Sequence, residues 1–163
     1  MDEMKVLTAY INEPNQASIN TYEKNGGYRA IKKAIPNIAP ATIIDMVKQA
    51  ELRGRGGAVF MTGVKWGYVP KDPLIDKYVV CNADESEPGT FKDRLLIEKD
   101  PHQIIEGIIL ASYAIGAKKA FIYCRGEYYQ GMHTLKTAVL EAKKRGYLAH
   151  LDIIVHPGAG AYI

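Results

Sequence analysis

A glycine-rich stretch at residues 52–66 is the part of the sequence best suited to hold a ligand. It reads LRGRGGAVFMTGVKW, which combines glycines with arginine, lysine and aromatic residues. Glycines let a ligand approach the backbone N–H groups, arginine and lysine attract anions such as phosphate, and aromatic rings flank flat heterocycles. The stretch predicts a loop that holds a nucleotide, although a flexible, solvated Gly/Arg turn would have the same composition.

The spacing of this loop fits neither of the two common phosphate-binding templates. A dinucleotide fingerprint follows a strand, whereas this loop follows a predicted helix, and Val59 stands where the third glycine belongs. A P-loop is excluded because no glycine here is followed at the required distance by Gly-Lys-Ser or Gly-Lys-Thr.

A second stretch, NADESEPGTFKDR at residues 82–94, follows a predicted buried strand. Its acids are Asp84, Glu85, Glu87 and Asp93. Ligands bind at the carboxyl ends of strands in open α/β sheets. The acids could therefore bind a divalent cation, act as an acid–base pair or accept hydrogen bonds from sugar hydroxyls. A capped turn at Pro88-Gly89 with solvated acids is the structural alternative.

Side chains for other chemistries lack suitable neighbours. His102, His133 and His150 have no second histidine or cysteine at ligand spacing, so we predict no metal site and expect these residues at the surface or in caps. No serine or cysteine lies in a recognisable nucleophile motif, so we predict no catalytic side chain. Redox chemistry carried by a bound cofactor suits such a chain, because the protein then needs only to position the cofactor.

The elements that must position these loops alternate from residue 77 onward. Strands are predicted at 77–81, 119–124 and 151–155, and helices at 101–115, capped by Gly116, and at 132–145. This alternation gives a parallel sheet, so the residues that follow each strand meet at one edge.

The N-terminal part of the sequence is organised differently. Residues 1–18 show no sustained period and are predicted to form an arm that lies on another part of the protein. Helices are predicted at 28–35 and 40–51. We therefore divide the chain into an N-terminal arm with helices, residues 1–51, and a partial α/β cofactor domain, residues 52–163.

The composition fits an ordinary globular protein, with 163 residues of which 47% are hydrophobic and 24% charged. A net charge of +3 is too small to indicate nucleic acid or an anionic membrane as a partner. Cys81 and Cys124 belong to no CxxC pair, which predicts buried thiols and a reducing compartment. Without a signal peptide or a membrane-length apolar run, any membrane association is expected to go through a partner.

Several motifs together resemble one family. They are LRGRGG, Thr62-Gly63 with Lys65-Trp66, NADESEPGTFKDR, Asp100-Pro101-His102 with IIEG, AIGA, YCRGEYY and GAGAYI. In this order they resemble the flavin-bearing, NADH-oxidising subunit of respiratory complex I, the 51 kDa family of NADH–quinone oxidoreductase. Diaphorase subunits of NAD-linked hydrogenases and formate dehydrogenases share these motifs.

The resemblance implies a Rossmann-like α/β fold, with a partial parallel sheet, flanking helices and an N-terminal arm. It implies FMN and NAD(H) as cofactors: FMN accepts hydride from NADH and passes electrons to Fe–S clusters. The implied flavin contacts are Gly54, Arg55, Gly56, Gly57, Lys65, Asn82, Asp84, Glu85, Ser86 and Tyr162. Phe60 and Tyr68 match positions that stack on NADH, and Glu87 matches the carboxylate at the NADH ribose, which disfavours a 2′-phosphate.

The resemblance also implies partners and a location. The partners are other subunits of the complex I peripheral arm, especially the small 2Fe–2S subunit, and the location is cytoplasmic, on the inner face of the membrane through those subunits. A 4Fe–4S cluster is expected only in a C-terminal part that this sequence does not include. The alternatives are a hydrogenase or formate dehydrogenase diaphorase, and a truncated, non-catalytic fragment that acts at most as an interaction module.

The sequence departs from the family pattern at several positions. Val59 replaces a glycine, Met61 replaces a proline, and Pro157 stands where arginine is usual. If position 59 needs a positive φ, its β-branched side chain costs about 1–2 kcal/mol. The segment before the third strand is shortened, and the sequence stops before the family's Cys-Gly-Glu-Glu.

Overall fold

The computed structural model describes residues 4–160 and residue 162, in which helices flank one β-sheet. The helices of this part of the chain are α1 (Ile19–Lys24), α2 (Arg29–Ala34), α3 (Pro40–Gln49), α4 (Thr62–Gly67), α5 (Lys92–Lys99), α6 (Pro101–Ile115) and α7 (Tyr129–Lys144). The strands are β1 (Tyr78–Ala83), β2 (Lys119–Cys124) and β3 (Asp152–Pro157).

The three strands form a parallel sheet in the order β1–β2–β3. Across the sheet Asn82 lies beside Tyr123, and Tyr123 lies beside His156. Helices α5 and α6 connect β1 to β2, and α7 connects β2 to β3. The predicted α/β class with a parallel sheet is confirmed, and the residues that follow the strands lie at one edge.

One face of the sheet packs against α6 and α7 to form the main core. Core residues with no exposed surface are Ala120, Ile122, Cys124, Ile105 and Leu135. Side chains alternate between the two faces of a strand. On the other face of β1, Tyr78 is 53% and Val80 is 64% exposed. This second face of β1 borders the cavities described below.

Helix α6 has clear sequence signals at both ends. Pro101 lies in its first turn, where a missing N–H costs nothing, and Gly116 follows it with a left-handed φ of +75°. Between them Ile105, Ile108 and Ile109 are buried. The predicted limits of this helix are confirmed because a proline start and a glycine stop flank one apolar face.

Helices α1, α4 and α5 are absent from the sequence prediction. Helix α4 contains Gly63 and Gly67, which lower helix propensity. In α5 only Ile97 is buried, so the helix shows no apolar stripe. Its start is also hidden, because Glu85, outside the helix, supplies the cap.

Several predicted limits shift by a few residues. Helix α7 begins at Tyr129 rather than at residue 132, and the helix predicted at 40–51 ends at Gln49. Strand β1 continues to Ala83, so Asn82 belongs to the strand rather than to the acidic loop. Strand β3 is displaced to end at Pro157, a position that tolerates a residue without an N–H.

The N-terminal segment is joined to α6 and α7 by buried polar contacts. Glu106 Oε2 accepts hydrogen bonds from Tyr22 Oη at 2.6 Å and from the Tyr28 N–H at 2.8 Å. The fully buried His102 contacts Tyr28 Oη through Nδ1 at 2.8 Å and Glu141 Oε2 through Nε2 at 3.0 Å. The prediction that His102 lies at the surface or in a cap is therefore wrong. Sequence patterns do not indicate this burial, because the partners of His102 are distant in sequence.

Apolar contacts bring the same segment into the main core. Ile19, Tyr22, Tyr28 and Ile31 belong to the cluster that also covers the sheet. These residues follow the predicted arm, within which the buried Gln16 donates from Nε2 to Asp100 Oδ1 at 3.1 Å, so the end of the arm contacts the α/β part of the chain. The domain division at residue 51 stays a prediction.

Both cysteines are free thiols, with Cys124 buried and Cys81 partly buried. Burial raises the pKa of each thiol to about 11, so both stay protonated at neutral pH. Within residues 4–160 and 162, every helix is too short or too polar to span a bilayer.

Candidate cofactor site

Two neighbouring cavities lie along β1. The glycine-loop cavity has a volume of about 460 Å³ and is lined by Gly54, Gly56, Ala58, Val59, Phe60, Thr62, Lys65, Trp66, Val69, Tyr78, Val79, Val80, Ala111 and Ile115. The strand-end cavity has a volume of about 370 Å³ and is lined by Val80, Asn82, Asp84, Ser86, Tyr123 and Tyr162. The two cavities adjoin at Val80, so the glycine loop and the acidic stretch face one region of the molecule.

The glycine loop is a closed hairpin rather than a free coil. The Gly54 N–H donates to the Phe60 carbonyl at 2.9 Å, and the Thr62 N–H donates to the Leu52 carbonyl at 2.8 Å. Arg53 Nη1 donates to the Val59 carbonyl at 3.3 Å. These bonds fix the two ends of the loop directly before α4, while residues 54–60 stay exposed.

The glycines of this stretch serve two different purposes. A Cβ atom at Gly63 would lie 2.5 Å from the Lys48 backbone nitrogen, so Gly63 is needed for α3 to pack on α4. A Cβ atom at Gly56 or Gly57 would meet no protein atom within 4 Å. Packing does not explain the glycine at position 56, whereas close approach of a ligand to bare backbone does. The loop therefore fits a nucleotide cofactor.

Val59 has a φ of +52°, the left-handed region that is strained for a β-branched residue. Position 59 therefore has the positive φ at which a β-branched residue is expected to be strained, and this strain costs about 1–2 kcal/mol. Met61, by contrast, has a φ of −69°, the value that a proline would impose. Methionine in place of the family's proline at position 61 therefore leaves the backbone conformation unchanged.

Of the exposed aromatic and basic side chains predicted for this site, Phe60 and Lys65 line the glycine-loop cavity, whereas Tyr68 and Arg55 lie outside its lining. The rings of Phe60 and Tyr68 are 6.4 Å apart and are 49% and 73% exposed, which gives a flat ligand access to both. Lys65 lines the cavity, and Arg55 lies exposed on the loop itself. Trp66 is half-buried and packs against a small apolar cluster below the loop.

The end of β1 presents oxygen atoms to the strand-end cavity. The Asp84 N–H donates to Asn82 Oδ1 at 3.1 Å, and Ser86 Oγ donates to Asp84 Oδ1 at 2.8 Å. Such side chains suit hydrogen bonds with ligand hydroxyls. Tyr162, which is 60% exposed, lies on the same cavity. No group of three or more histidine, cysteine or acidic residues in the described chain is placed to hold a metal ion.

Glu85 differs from its neighbours because its side chain is buried and caps α5. Its carboxylate accepts hydrogen bonds from the N–H groups of Asp93 at 2.7 Å and Arg94 at 2.9 Å. Tyr128 Oη donates to the same carboxylate at 3.2 Å, and burial, followed by the charge of Glu85, raises the pKa of that tyrosine. Arg125 Nη1 also donates to the Glu85 carbonyl at 3.0 Å. The carboxylate holds the acidic loop against α5, as an anion does at a helix N-terminus.

Glu87 begins the turn that the sequence predicted at Pro88-Gly89. Its carbonyl accepts a hydrogen bond from the Thr90 N–H at 3.1 Å, and Gly89 has a φ of +85°. Proline followed by glycine with positive φ is typical of a type II turn. The Glu87 side chain is exposed at the rim of the acidic loop.

The structure adds two residues to the site that the sequence analysis did not select. Tyr123 lines the strand-end cavity beside Asn82, and Tyr78 lines the glycine-loop cavity. The predicted first strand stops at residue 81, so the sequence did not pair Tyr123 with Asn82. For Tyr78 no sequence signal distinguishes a cavity-lining residue from any other strand residue.

The fold and the site together define a nucleotide-cofactor-binding α/β domain. Residues 47–163 match the model of the Nuo51 FMN-binding domain, so the chain belongs to this family. The resemblance recognised in the sequence is therefore confirmed.

The curated relatives agree with this assignment. The chain is 52% identical over 168 residues to the F subunit of NADH-quinone oxidoreductase from Aquifex aeolicus (strain VF5), covering 98% of this chain and 39% of that protein. It is 48% identical over 166 residues to the F 2 subunit of NADH-quinone oxidoreductase from Rhizobium meliloti (strain 1021), covering 97% and 39%. The chain thus spans about two fifths of the length of these relatives.

A solved structure shows the same fold. The NAD+-reducing [NiFe]-hydrogenase in the H2-reduced state matches with a TM-score of 0.74 and 34% identity, covering 98% of this chain and 26% of the matched chain.

Proposed function

We propose that this chain is the FMN-holding part of an NADH-oxidising flavin subunit of NADH–quinone oxidoreductase. The observation that carries the proposal is the loop at Gly56 and Gly57, whose bare backbone has open space around it and whose cavity adjoins Asp84 and Ser86 at Val80. Membership of the FMN-binding family and similarity to the NADH-quinone oxidoreductase relatives support the same function.

The chain's own residues divide the binding task by charge. Backbone N–H groups of residues 56–57, with Lys65 and Arg55, are suited to hold the flavin phosphate, while the Gly54 N–H closes the loop onto the Phe60 carbonyl. Asn82, Asp84 and Ser86 are suited to accept and donate hydrogen bonds to the ribityl chain and the ring edge, with Tyr162 beside them. Glu85 acts through its cap of α5, which fixes the backbone of this acidic segment.

We assign the dinucleotide to Phe60, which lines the glycine-loop cavity, and to Tyr68, whose ring lies 6.4 Å from that of Phe60. Phe60 and Tyr68 offer two ring faces to a nicotinamide or adenine. Glu87, whose side chain is exposed on the acidic loop, is suited to accept hydrogen bonds from a ribose and to repel a 2′-phosphate, which selects NADH over NADPH. Bound FMN supplies the redox chemistry, since it accepts hydride and releases single electrons.

The assembly is inferred from the relatives. Those from Aquifex aeolicus and Rhizobium meliloti are named as subunits of NADH-quinone oxidoreductase, which makes them parts of an enzyme of several chains. We propose the small 2Fe–2S subunit as the principal partner, with a 4Fe–4S cluster in the part of the family that this chain does not span. A peripheral position on the inner face of the membrane, through those partners, follows from the same assignment.

A diaphorase role in an NAD+-reducing hydrogenase is the second candidate, because the fold matches such an enzyme at 34% identity. The site described above would work alike in both, so the two roles differ in the partner that receives the electrons.

The central test is a Gly56→Ala variant. The added methyl group meets no protein atom within 4 Å, so the fold should tolerate it, whereas a flavin held against the loop would clash. We expect FMN affinity to fall about tenfold, measured by quenching of flavin fluorescence, with an unchanged melting temperature.

The matched control is Gly107→Ala in α6, where a Cβ atom also meets nothing within 4 Å. It should leave FMN binding unchanged and raise stability by about 0.5–1 kcal/mol. Equal FMN affinity in the Gly56→Ala variant and the parent chain would refute the placement of the flavin, and absence of flavin bands in the reconstituted parent would refute the function.

A further inference from the structure

A continuous groove runs around the C-terminal end of α6. It consists of two adjoining cavities of about 400 and 510 Å³, which share Lys71, Lys77 and Gly116. We call it the lysine groove. It includes Lys119 at the first position of β2, so it lies at the opposite end of that strand from the Asn82–Ser86 segment.

The floor of the lysine groove is apolar. Ile44 and Trp66 line its first half, and Ile75 and Tyr78 line its second half. Ile75 is 48% exposed, and the neighbouring Leu74 is 91% exposed. Exposed aliphatic and aromatic side chains grouped in this way are typical of a surface that another protein covers.

The groove carries an excess of positive charge in its second half, whereas Asp45 and Lys48 pair with each other in the first half. Lys71, Lys77, Lys118 and Lys119 line the second half, where Asp76 is the acid among the lining residues. Lys77 Nζ donates to the Asp72 carbonyl at 2.9 Å, which leaves its charge unpaired. In the part of the chain that the structure describes, none of these four lysines has a carboxylate within ion-pair distance.

We propose that the lysine groove binds an extended segment of a partner protein in which acidic residues flank apolar side chains. The apolar floor accepts the aliphatic or aromatic side chains, and the lysines attract the acids on either side of them. Two adjoining cavities match a peptide better than a single small anion, which would need only one. A nucleic acid fits less well, because the whole chain carries a net charge of only +3.

The lysine groove also shares lining residues with the glycine-loop cavity. Trp66, Val69 and Ile115 line both the first half of the groove and the glycine-loop cavity, and Tyr78 lines both the second half and that cavity. The partner segment would therefore lie against the opposite side of the residues that wall the cavity. The test below uses lysines rather than these shared residues, so that peptide binding and flavin binding can fail independently.

A phage-displayed library of random twelve-residue peptides, selected on the immobilised full chain, tests the proposal. We expect the enriched peptides to carry aspartate or glutamate around aliphatic or aromatic positions. Their affinity, measured by fluorescence anisotropy with synthetic peptides, should fall with rising salt, because exposed charges are screened.

The decisive comparison is between two double variants of equal charge. Lys71→Glu with Lys119→Glu should weaken the selected peptides at least about tenfold, whereas Lys33→Glu with Lys136→Glu, both exposed and outside the groove, should change affinity less than about twofold. FMN uptake by both variants should match that of the parent chain. Equal weakening by both pairs, enrichment of peptides without acids, failure to enrich any peptide, or tighter binding of single-stranded RNA at the same lysines would each overturn the proposal.

Discussion

At residue 59 a valine adopts a left-handed backbone conformation at the wall of the glycine-loop cavity, with 52% of its surface exposed. Two effects follow from this one residue. The backbone is strained, and a branched side chain occupies space beside the loop that would hold the flavin phosphate. A substitution at position 59 can remove both effects without disturbing the core, since the Val59 side chain belongs to neither buried core cluster.

We therefore predict that Val59→Gly increases FMN affinity, by about fivefold, because strain and bulk are lost together. Stability should change by less than about 1 kcal/mol, since the gain from relieved strain is offset by the greater freedom of glycine in the unfolded chain. Flavin fluorescence titration measures the affinity. Val59→Ala is the control that removes the branch but keeps the Cβ strain, and weaker or unchanged FMN uptake by the glycine variant would contradict the prediction.

A second prediction at this scale concerns Glu87. Because its side chain is exposed at the rim of the acidic loop and is assigned to the ribose of NADH, Glu87→Gln should weaken NADH about tenfold and leave FMN affinity unchanged. The same variant should lose part of its preference for NADH over NADPH, since a repulsive charge is removed. Separate titrations of the FMN-loaded and flavin-free chain measure both affinities, and equal losses would show that the assignment is wrong.

Among the elements, α5 depends on a residue outside itself. Its N-terminal N–H groups at Asp93 and Arg94 are satisfied by the Glu85 carboxylate, which Tyr128 also contacts. Two segments that follow neighbouring strands are thus held together at the edge of the sheet that carries the candidate site.

We expect Glu85→Gln to destabilise the protein by about 1–3 kcal/mol, because a buried charged acceptor of two backbone N–H groups becomes a neutral amide. Urea denaturation followed by circular dichroism measures this loss. Glu98→Gln in the same helix is the control, since its partly exposed ion pair with Arg94 is worth less than about 1 kcal/mol. Similar losses in both variants would argue against a special role for the cap.

The contact between α6, α7 and the N-terminal segment should depend on pH. Burial lowers the pKa of His102, against the opposing effect of Glu141, so the folded state holds a neutral ring that accepts from Tyr28 and donates to Glu141. The unfolded state binds the proton more readily, with a pKa of about 6.5. Stability from this group is therefore present above pH 6.5 and is lost as the pH falls towards the folded pKa.

His102→Gln should consequently flatten the decline in melting temperature between pH 7 and pH 5, although it also lowers stability at pH 7. The acids whose charges act on the ring, Glu141 and Glu23, are unchanged in the variant. His150→Gln, which alters an exposed histidine, should leave the slope as it is in the parent chain. A parallel decline in His102→Gln and parent would exclude His102 as the source of the pH dependence.

At the scale of the whole molecule, the helices and strands that the sequence predicts correctly are those whose signals lie within their own segments. The strand at 119–124 and the helix at 101–115 appear at the expected positions because the apolar Phe-Ile-Tyr run of the strand, and Pro101 and Gly116 of the helix, act within their own segments. The position of the acidic stretch at the end of the first strand follows from parallel topology, whereas the glycine loop follows a helix and its nearness to that stretch is implied only by the family resemblance.

The sequence does not predict contacts between residues that lie far apart along the chain. His102 was assigned to the surface because its partners Tyr28 and Glu141 lie 74 and 39 positions away. Helix α5 was missed because its cap, Glu85, precedes it by a turn of irregular chain. The role of Glu85 as a cap, rather than as one more acid facing a ligand, likewise depends on where the acidic loop folds.

The single oxygen of Glu106 that serves both Tyr22 and the Tyr28 backbone has an evolutionary consequence. A lineage that lost the N-terminal segment would leave Glu106 without these two donors, and one that replaced the acid would leave the buried Tyr22 hydroxyl and Tyr28 N–H without their acceptor. Substitutions at these widely spaced positions should therefore occur together, and sequences that change only some of them should be rare among descendants.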